Sequence, residues 1–483
     1  MPVHSHGSRP YEWVGDWSGR RASLSPDRVG LIDRTTGNSF TYAELDERAQ
    51  RMGHLLIDHG VTEGDRVAVI ARNRPAVLDL FFACGKTGGV LAPLSHRLAA
   101  PELGTLLTRV DPALVVVETP FASKAEAALS AADVDAPVRA IGEADGMPWP
   151  SLMAERPATP TPVEGPALGL DDPYLLLHTG GSTGTPKETI LSHGGIYWNS
   201  MNTITAWGIR EDDRTPMVFP LFHTGGWNVI TIPLFHMGGT VVIAREFDPG
   251  TVLETIDDTA ATILIAVPAV LRMMTEHDAW DRTDLSSIRI AKSGGGPCRQ
   301  TVLEAYWDRD VDLSQGYGLT ECGPNNFAMP DDWPREKADS VGRPGMHVDT
   351  RIVDEEGTPL PVGEIGELQL ASPHAAAGYW ENPGETEATF GDGWVSTGDL
   401  ARVDEAGYHY IEGRTSNMFV SGGENVYPAA VEDAIAGHPK VEDVIVIGVP
   451  DETWGQVGKA VVQGDESLSL SELRAFLEDR LAA

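Results

Sequence analysis

The strongest constraint on this chain is an alternation. Short apolar runs of strand length take turns with longer segments of helical period, and such a chain buries its strands best as a largely parallel sheet covered on both faces. From Thr41 to Gly60 the pattern is an amphipathic helix, with Thr41 and Glu44 spaced as a capping box and Gly60 ending the run. Arg66 to Ala71 then reads as strand, Pro75 to Lys86 as helix, Val90 to Pro93 as strand, Ala100 to Val110 as helix and Ala113 to Val117 as strand. The Pro-, Ala- and Glu-rich stretch from Asp133 to Pro173 reads as a surface connection.

A second alternating block runs from Tyr174 to about Asn326. It holds strands at Leu175 to His178, near Met217, at Thr240 to Ile243 and at Ile263 to Val267. Helices are expected after Gly194, at Pro249 to Asp257 and at Ala269 to His277. After Gly342 the style changes to short strands with turns, Glu356-Gly357 among them, as in a small antiparallel barrel. The tail after Arg414 carries a strand, a helix near Pro428 to Ala436, a strand at Asp443 to Ile447 and a helix at Ser471 to Leu481. The expected fold class is therefore α/β. A large domain, residues 1–413, would hold two doubly wound parallel-type sheets and a β-barrel-like unit; a small α+β domain would follow at 414–483. With 483 residues, the chain is long enough for about three folding units at roughly 150 residues each.

Charge narrows the function classes. Acidic side chains outnumber basic ones by 71 to 36, a formal net charge of −35. A nucleic-acid surface needs clustered Lys and Arg, so none is expected, and an anionic membrane would repel the chain. Any polyanionic substrate must be met locally, by backbone N–H groups, a few placed cations or a metal ion. Cys84, Cys298 and Cys322 form no CxxC pair, the start lacks an apolar leader, and the longest apolar run is too short to span a bilayer. These features lead us to expect a cytoplasmic protein; nothing in them speaks to oligomeric state.

The sharpest local signal follows the strand at Leu175. From His178 through Thr179, Gly180, Gly181, Ser182, Thr183, Gly184, Thr185 and Pro186 to Lys187, glycines and hydroxyls alternate and a lysine closes the run. Glycines let backbone N–H groups converge on phosphate oxygens, hydroxyls add donors, and the lysine supplies a point charge. The pattern is not GxxxxGK[ST], because Pro186 precedes Lys187 and no hydroxyl follows it. By itself it suits either a phosphate loop or a Gly/Ser surface loop.

Further ordered motifs give the context: Gly294-Gly295-Gly296, Gln315-Gly316-Tyr317-Gly318 with Thr320-Glu321, Gly393 to Asp399, Gly413-Arg414, and Ser421 to Pro428. Together they resemble the adenylate-forming superfamily of acyl- and aryl-CoA ligases, luciferases and peptide-synthetase adenylation domains, from about Pro10 onward. The resemblance implies that Thr179 to Lys187 wrap the ATP β- and γ-phosphates, Tyr317 stacks on adenine and Thr320 reaches the α-phosphate. It implies that Glu321, with Thr183, holds Mg²⁺, a hard cation suited to carboxylate and phosphate oxygens. Gln315, Gly316 and Gly318 belong to the same nucleotide site, Asp399 would accept from the ribose hydroxyls with Arg414 nearby, and Gly294 to Gly296 would line the acyl and adenine pocket. The acyl pocket would add Phe222, His223, Trp227, Asn228, Gly294 and Gly318, with His223 as a gate; without the resemblance, His223 and Trp227 read as core residues. A pantetheine path would pass Ser421, Gly422, Gly423 and Glu424.

The implied reaction activates a small carboxylic acid with ATP and hands the acyl group to CoA. An adenylate-forming site that activates nitrite for transfer to an aromatic amine, and a non-catalytic nucleotide binder, stand as alternatives. The sequence also departs from the pattern. Gly180 stands where the family has Ser, and Glu188 where it has Gly; a carboxylate beside the phosphate lysine opposes ATP unless it points away. Ser416-Asn417 replaces the Lys-Asp hinge, the stretch Val461 to Glu466 is shorter than usual, and no terminal Gly-Lys motif occurs, since neither Lys440 nor Lys459 matches it.

Overall fold

The computed structural model describes residues 14–142, 153–159, 168–179, 187–421, 424–451 and 454–477. Two compact units result. The first takes Met1–Asp339, Arg343–Asp349 and Ala371–Val395; the second takes Ser340–Gly342, Thr350–Leu370 and Ser396–Ala483. The antiparallel strands after Gly342 thus pack with the tail, while the boundary at 413/414 is a separate question of where a small domain begins.

The first unit is built on a seven-stranded mixed sheet. Its parallel part runs Pro173–Thr179, Val90–Leu94, Arg66–Ile70, Leu114–Glu118, Val138–Ile141, and Lys187–Ser192 and Gly378–Tyr379 add antiparallel at one edge. Leu114–Glu118 and Val90–Leu94 are buried along their whole length, as strands covered on both faces must be. Helix Tyr42–Asp58 starts with the expected reciprocal box: Glu44 N donates to Thr41 Oγ1 at 3.2 Å, and Thr41 N to Glu44 Oε2 at 2.7 Å.

A second sheet orders Asn38–Thr41, Val29–Asp33, Thr240–Ile243 and Arg214–Met217. Beside it, Thr262 N donates to Arg214 O at 2.9 Å, leading into an all-parallel trio of Ile263–Ala266, Ile290–Ser293 and Leu313–Gln315. Two expectations need correction. The strand Pro173–Thr179 joins the first sheet, paired with Val90–Leu94, and does not open the second. The second sheet instead recruits Val29–Asp33 and Asn38–Thr41, strands not anticipated at all. Local pattern sets the type of an element, whereas its sheet is set by tertiary pairing.

The core contains a file of stacked rings. His193 lies on Tyr174 at 4.1 Å and 15°, Tyr174 on Phe81 at 4.4 Å and 24°, and Phe81 on Trp227 at 4.9 Å and 28°. All three cysteines are buried.

In the second unit, Gly366–Ala371 and Val395–Val403 pair at the centre of a four-stranded sheet with Asp349–Val353 and His409–Arg414 at its edges. A further sheet holds the long hairpin Val441–Asp451 and Gly455–Gly464, longer than the single strand expected there, with Phe419–Ser421 and Glu424–Val426. Helices Pro428–Ala436 and Leu470–Leu477 occur near the expected positions, the last stretch of the expected final helix lying outside the described residues. Among the described residues no helix is long and apolar enough to cross a membrane.

Candidate active site

The carboxyl ends of parallel strands are where open α/β sheets leave a crevice for ligands. Here Ser293 and Gln315 end two neighbouring parallel strands in register, and Gly316 N donates to Ser293 O at 2.8 Å. Gly294 to Gly296 and Gly316 to Gly318 therefore leave the sheet side by side, with Gly295 and Gly296 exposed. At Gly318 a Cβ would stand 2.2 Å from the Pro324 carbonyl carbon, so only glycine permits this chain crossing.

The short turn Thr320–Cys322 follows directly. The Glu321 carboxylate accepts from the Tyr379 hydroxyl at 2.9 Å and from Thr179 Oγ1 at 3.4 Å. Burial, reinforced by that carboxylate, raises the Tyr379 pKa, so its phenol stays a donor. Glu321 has no ion-pair partner among the described residues, and no cluster of three or more ligating side chains occurs among them. A half-buried carboxylate met only by hydroxyls suits Mg²⁺, which takes one or two carboxylates and completes its shell with phosphate and water.

Thr179 also ends the strand that opens the Gly-rich segment, and it pairs across the ladder with Lys187. The ladder thus clamps both ends of that segment; Gly180, Gly181, Ser182, Thr183 and Gly184 themselves lie outside the described residues. Lys187 forms an ion pair with Glu385, and its ammonium sits 5.0 Å over the Tyr379 ring. Glu188 takes the opposite face, as strand alternation requires. It is 2% exposed, 3.6 Å from Arg109, and burial raises its pKa. The carboxylate that threatened the phosphate lysine points away from it.

Tyr317 sits edge-on to Phe327 at 5.8 Å. Gln315, expected to touch nucleotide, is instead committed to the scaffold: its Oε1 accepts from Cys298 N at 2.9 Å and its Nε2 donates to Ala338 O at 2.8 Å. Both ends of its amide thereby hold the strand end in place.

The segment from Phe219 forms a tight turn into a π-helical turn, Gly225–Val229. His223 is exposed, yet the mass around its ring and the Arg97 charge lower its pKa. Phe222 lies 4.8 Å from the His223 ring and 5.5 Å from that of His96, and His178 lies 6.3 Å from His223. His178 is held neutral by burial, with a pKa of about 4. Trp227 departs from the expected pocket wall. It is 0% exposed, stacks on Phe81 and donates to Leu221 O at 2.6 Å, so it braces the turn from behind. Asn228 is likewise buried, its Nδ2 donating to Thr224 and its Oδ1 unpartnered among the described residues.

The second unit holds the remaining candidates. Asp399 pairs in register with Arg414, whose Nε donates to Asp399 Oδ1 at 2.8 Å. Ser421 and Glu424 pair across a two-strand ladder, while Gly422 and Gly423 lie outside the described residues. Asn417 N and Met418 N both donate to Arg414 O, closing a tight turn where the hinge was expected. Lys440 is paired with Glu472 at 2.9 Å. Tyr379, Glu385 and His96 were not singled out by sequence, and His178 only as the start of the Gly-rich run, since no local pattern marks a residue that meets its partners only through the fold.

The model of the AMP-binding enzyme family matches residues 19–380, and that of the AMP-binding enzyme C-terminal domain matches 430–483. A feruloyl-CoA synthase of Amycolatopsis sp is 39% identical over 472 residues, 97% of this chain and 92% of that protein. An indoleacetate–CoA ligase of Aromatoleum aromaticum is 35% identical, with the same shares covered. Among solved structures, ATP-bound MatB from Rhodopseudomonas palustris superposes with a TM-score of 0.88 at 29% identity, covering 97% of this chain and 92% of that one.

Proposed function

The chain belongs to the AMP-binding enzyme family and is an AMP-forming acid–CoA ligase, and from that premise we propose which residues do the work. ATP and a small carboxylic acid give an acyl-AMP and pyrophosphate, and CoA then takes the acyl group with release of AMP. An aryl acid is the substrate class we favour, in keeping with the feruloyl and indoleacetate relatives and with the rings of Phe222 and His223.

The carboxylate needs no general base, because it is ionised at neutral pH. Its attack on the α-phosphorus builds negative charge, and stabilising that charge is the protein's task. In our reading Lys187 and the segment it closes grip the β- and γ-phosphates, and Thr320 donates to the α-phosphate. Tyr317 stacks on adenine, and Gly294, Gly295, Gly296, Gly316 and Gly318 allow the nucleotide close to the backbone. Glu321 would hold Mg²⁺, which supplies further charge neutralisation when bound. His223, neutral by virtue of its lowered pKa, would border the substrate carboxylate without a fixed charge. Residues 414–483 would form the small domain, with Asp399 and Arg414 on the ribose and Ser421 to Glu424 along the CoA path.

One observation carries this reading: Thr179, at the mouth of the Gly-rich segment, reaches the carboxylate of Glu321, 142 residues away, next to two glycine turns at parallel strand ends. The test is to incubate the protein with ATP, Mg²⁺ and a panel of aryl and fatty acids and follow pyrophosphate. Acid-dependent release, then a thioester once CoA is added, is expected; nucleotide binding with no acid-dependent release would refute the assignment.

A further inference from the structure

A cavity of about 450 Å³ lies apart from every residue assigned above. Helices Trp17–Leu24, Tyr42–Asp58, Pro75–Thr87, His193–Trp207 and Thr231–Met237 each contribute to its wall. Trp17, Leu24, Phe82, Tyr197 and Phe235 make it mostly apolar and aromatic. The size suits a small organic molecule, and pockets of this kind take orientation from a few polar groups.

Most polar groups around it are already engaged. Tyr42 donates its hydroxyl to Gly239 O at 2.6 Å, Arg21 reaches His236 O at 2.6 Å, and His236 Nδ1 meets Ser200 Oγ at 2.9 Å. His193 is the exception among the fully buried ones. It lines the cavity, is 1% exposed, and neither ring nitrogen has a hydrogen-bond partner among the described residues. Burial holds its pKa down at about 3, so the ring is neutral and carries one N–H. A buried donor without an acceptor is costly, and native structures seldom leave one without a reason.

We propose that this cavity is a second ligand site, separate from the reacting centre, for a small aromatic molecule whose carbonyl or phenolic oxygen accepts a hydrogen bond from His193. The apolar wall selects the ring, and the buried, unpartnered donor of His193 selects the oxygen. His193 is held in place by its stack on Tyr174, so it presents that donor from a fixed plane.

Acetophenone and ethylbenzene are suitable probes, alike in shape and differing in the acceptor. Calorimetry on the full chain should give acetophenone an affinity about ten- to a hundredfold above ethylbenzene, as expected when one ligand leaves a buried donor unpaired. His193→Phe should erase the difference, and Leu45→Trp, which fills the cavity, should remove binding of both while acid–CoA ligase turnover persists. Crystals soaked in acetophenone should show it beside His193. Equal affinities for wild type, a preference that survives His193→Phe, or density only beside His223 would each overturn the proposal. Should His193→Phe fail to fold, the wild-type affinity ratio and the soaked crystal still decide. Failure here leaves acid-dependent pyrophosphate release untouched, so the two readings fail separately.

Discussion

Lys187 and Glu188 are neighbours in sequence and opposites in circumstance. Strand alternation gives the lysine to the face of Glu321 and Tyr379 and buries the glutamate against Arg109. Lys187→Ala should therefore raise KM for ATP about tenfold or more, the size of a lost charge-assisted contact, with an unchanged circular dichroism spectrum. Glu188→Gln should leave that KM within about twofold; a large effect would mean the carboxylate does face the nucleotide. Glu385 adds a competitor, since its carboxylate holds the lysine that phosphates must claim. With Glu385 38% exposed the pair is weak, so Glu385→Gln should lower KM for ATP by roughly two- to fivefold. Steady-state kinetics at fixed acid and CoA checks all three. The motif marked Lys187 as a candidate, but nothing in it marked Glu385, which pairs with that lysine from 198 residues away.

Elements were read with uneven success, and the reason is the range of the forces involved. The Thr41–Glu44 box is a contact between residues three apart, so sequence shows it directly. The strand Val29–Asp33 is stabilised by a partner more than 200 residues on, Leu31 lying beside Val241, and nothing local announces it. Glycines in motifs are legible as a need for space, though not as to what occupies that space. Gly318 illustrates this: the obstacle is the backbone of Pro324, which cannot swing aside as a side chain could. Gly318→Ala should accordingly displace the turn that carries Thr320 and Glu321. We expect a loss of more than about 2 kcal/mol in urea denaturation, in the range of overpacked sites, together with loss of acid-dependent pyrophosphate release. Near-native stability and activity would show that the crossing can open.

At the scale of the whole molecule, buried neutral histidines should govern acid sensitivity near neutrality. Burial lowers His178, His236 and His374 to about 4 and His193 to about 3. Unfolding restores them toward about 6.5, so between roughly pH 6.5 and 4 the unfolded chain binds more protons and stability falls as pH falls. Above that window these groups contribute no slope. Urea midpoints at pH 7, 6 and 5 should decline for the wild type. His374→Gln, which can keep polar contact with Ser372 and Asn326, should decline less steeply by about one proton; equal slopes would sink the idea. The cysteines carry a different consequence. An acyl adenylate will acylate any accessible thiolate, and Cys322 sits one residue from Glu321. Burial pushes that thiol up to about 12, helped by the Glu321 charge, and burial raises Cys84 and Cys298 as well. The enzyme's own sulfur is thereby kept from intercepting its reactive product, leaving the coenzyme as the acceptor and sparing the protein from modifying itself.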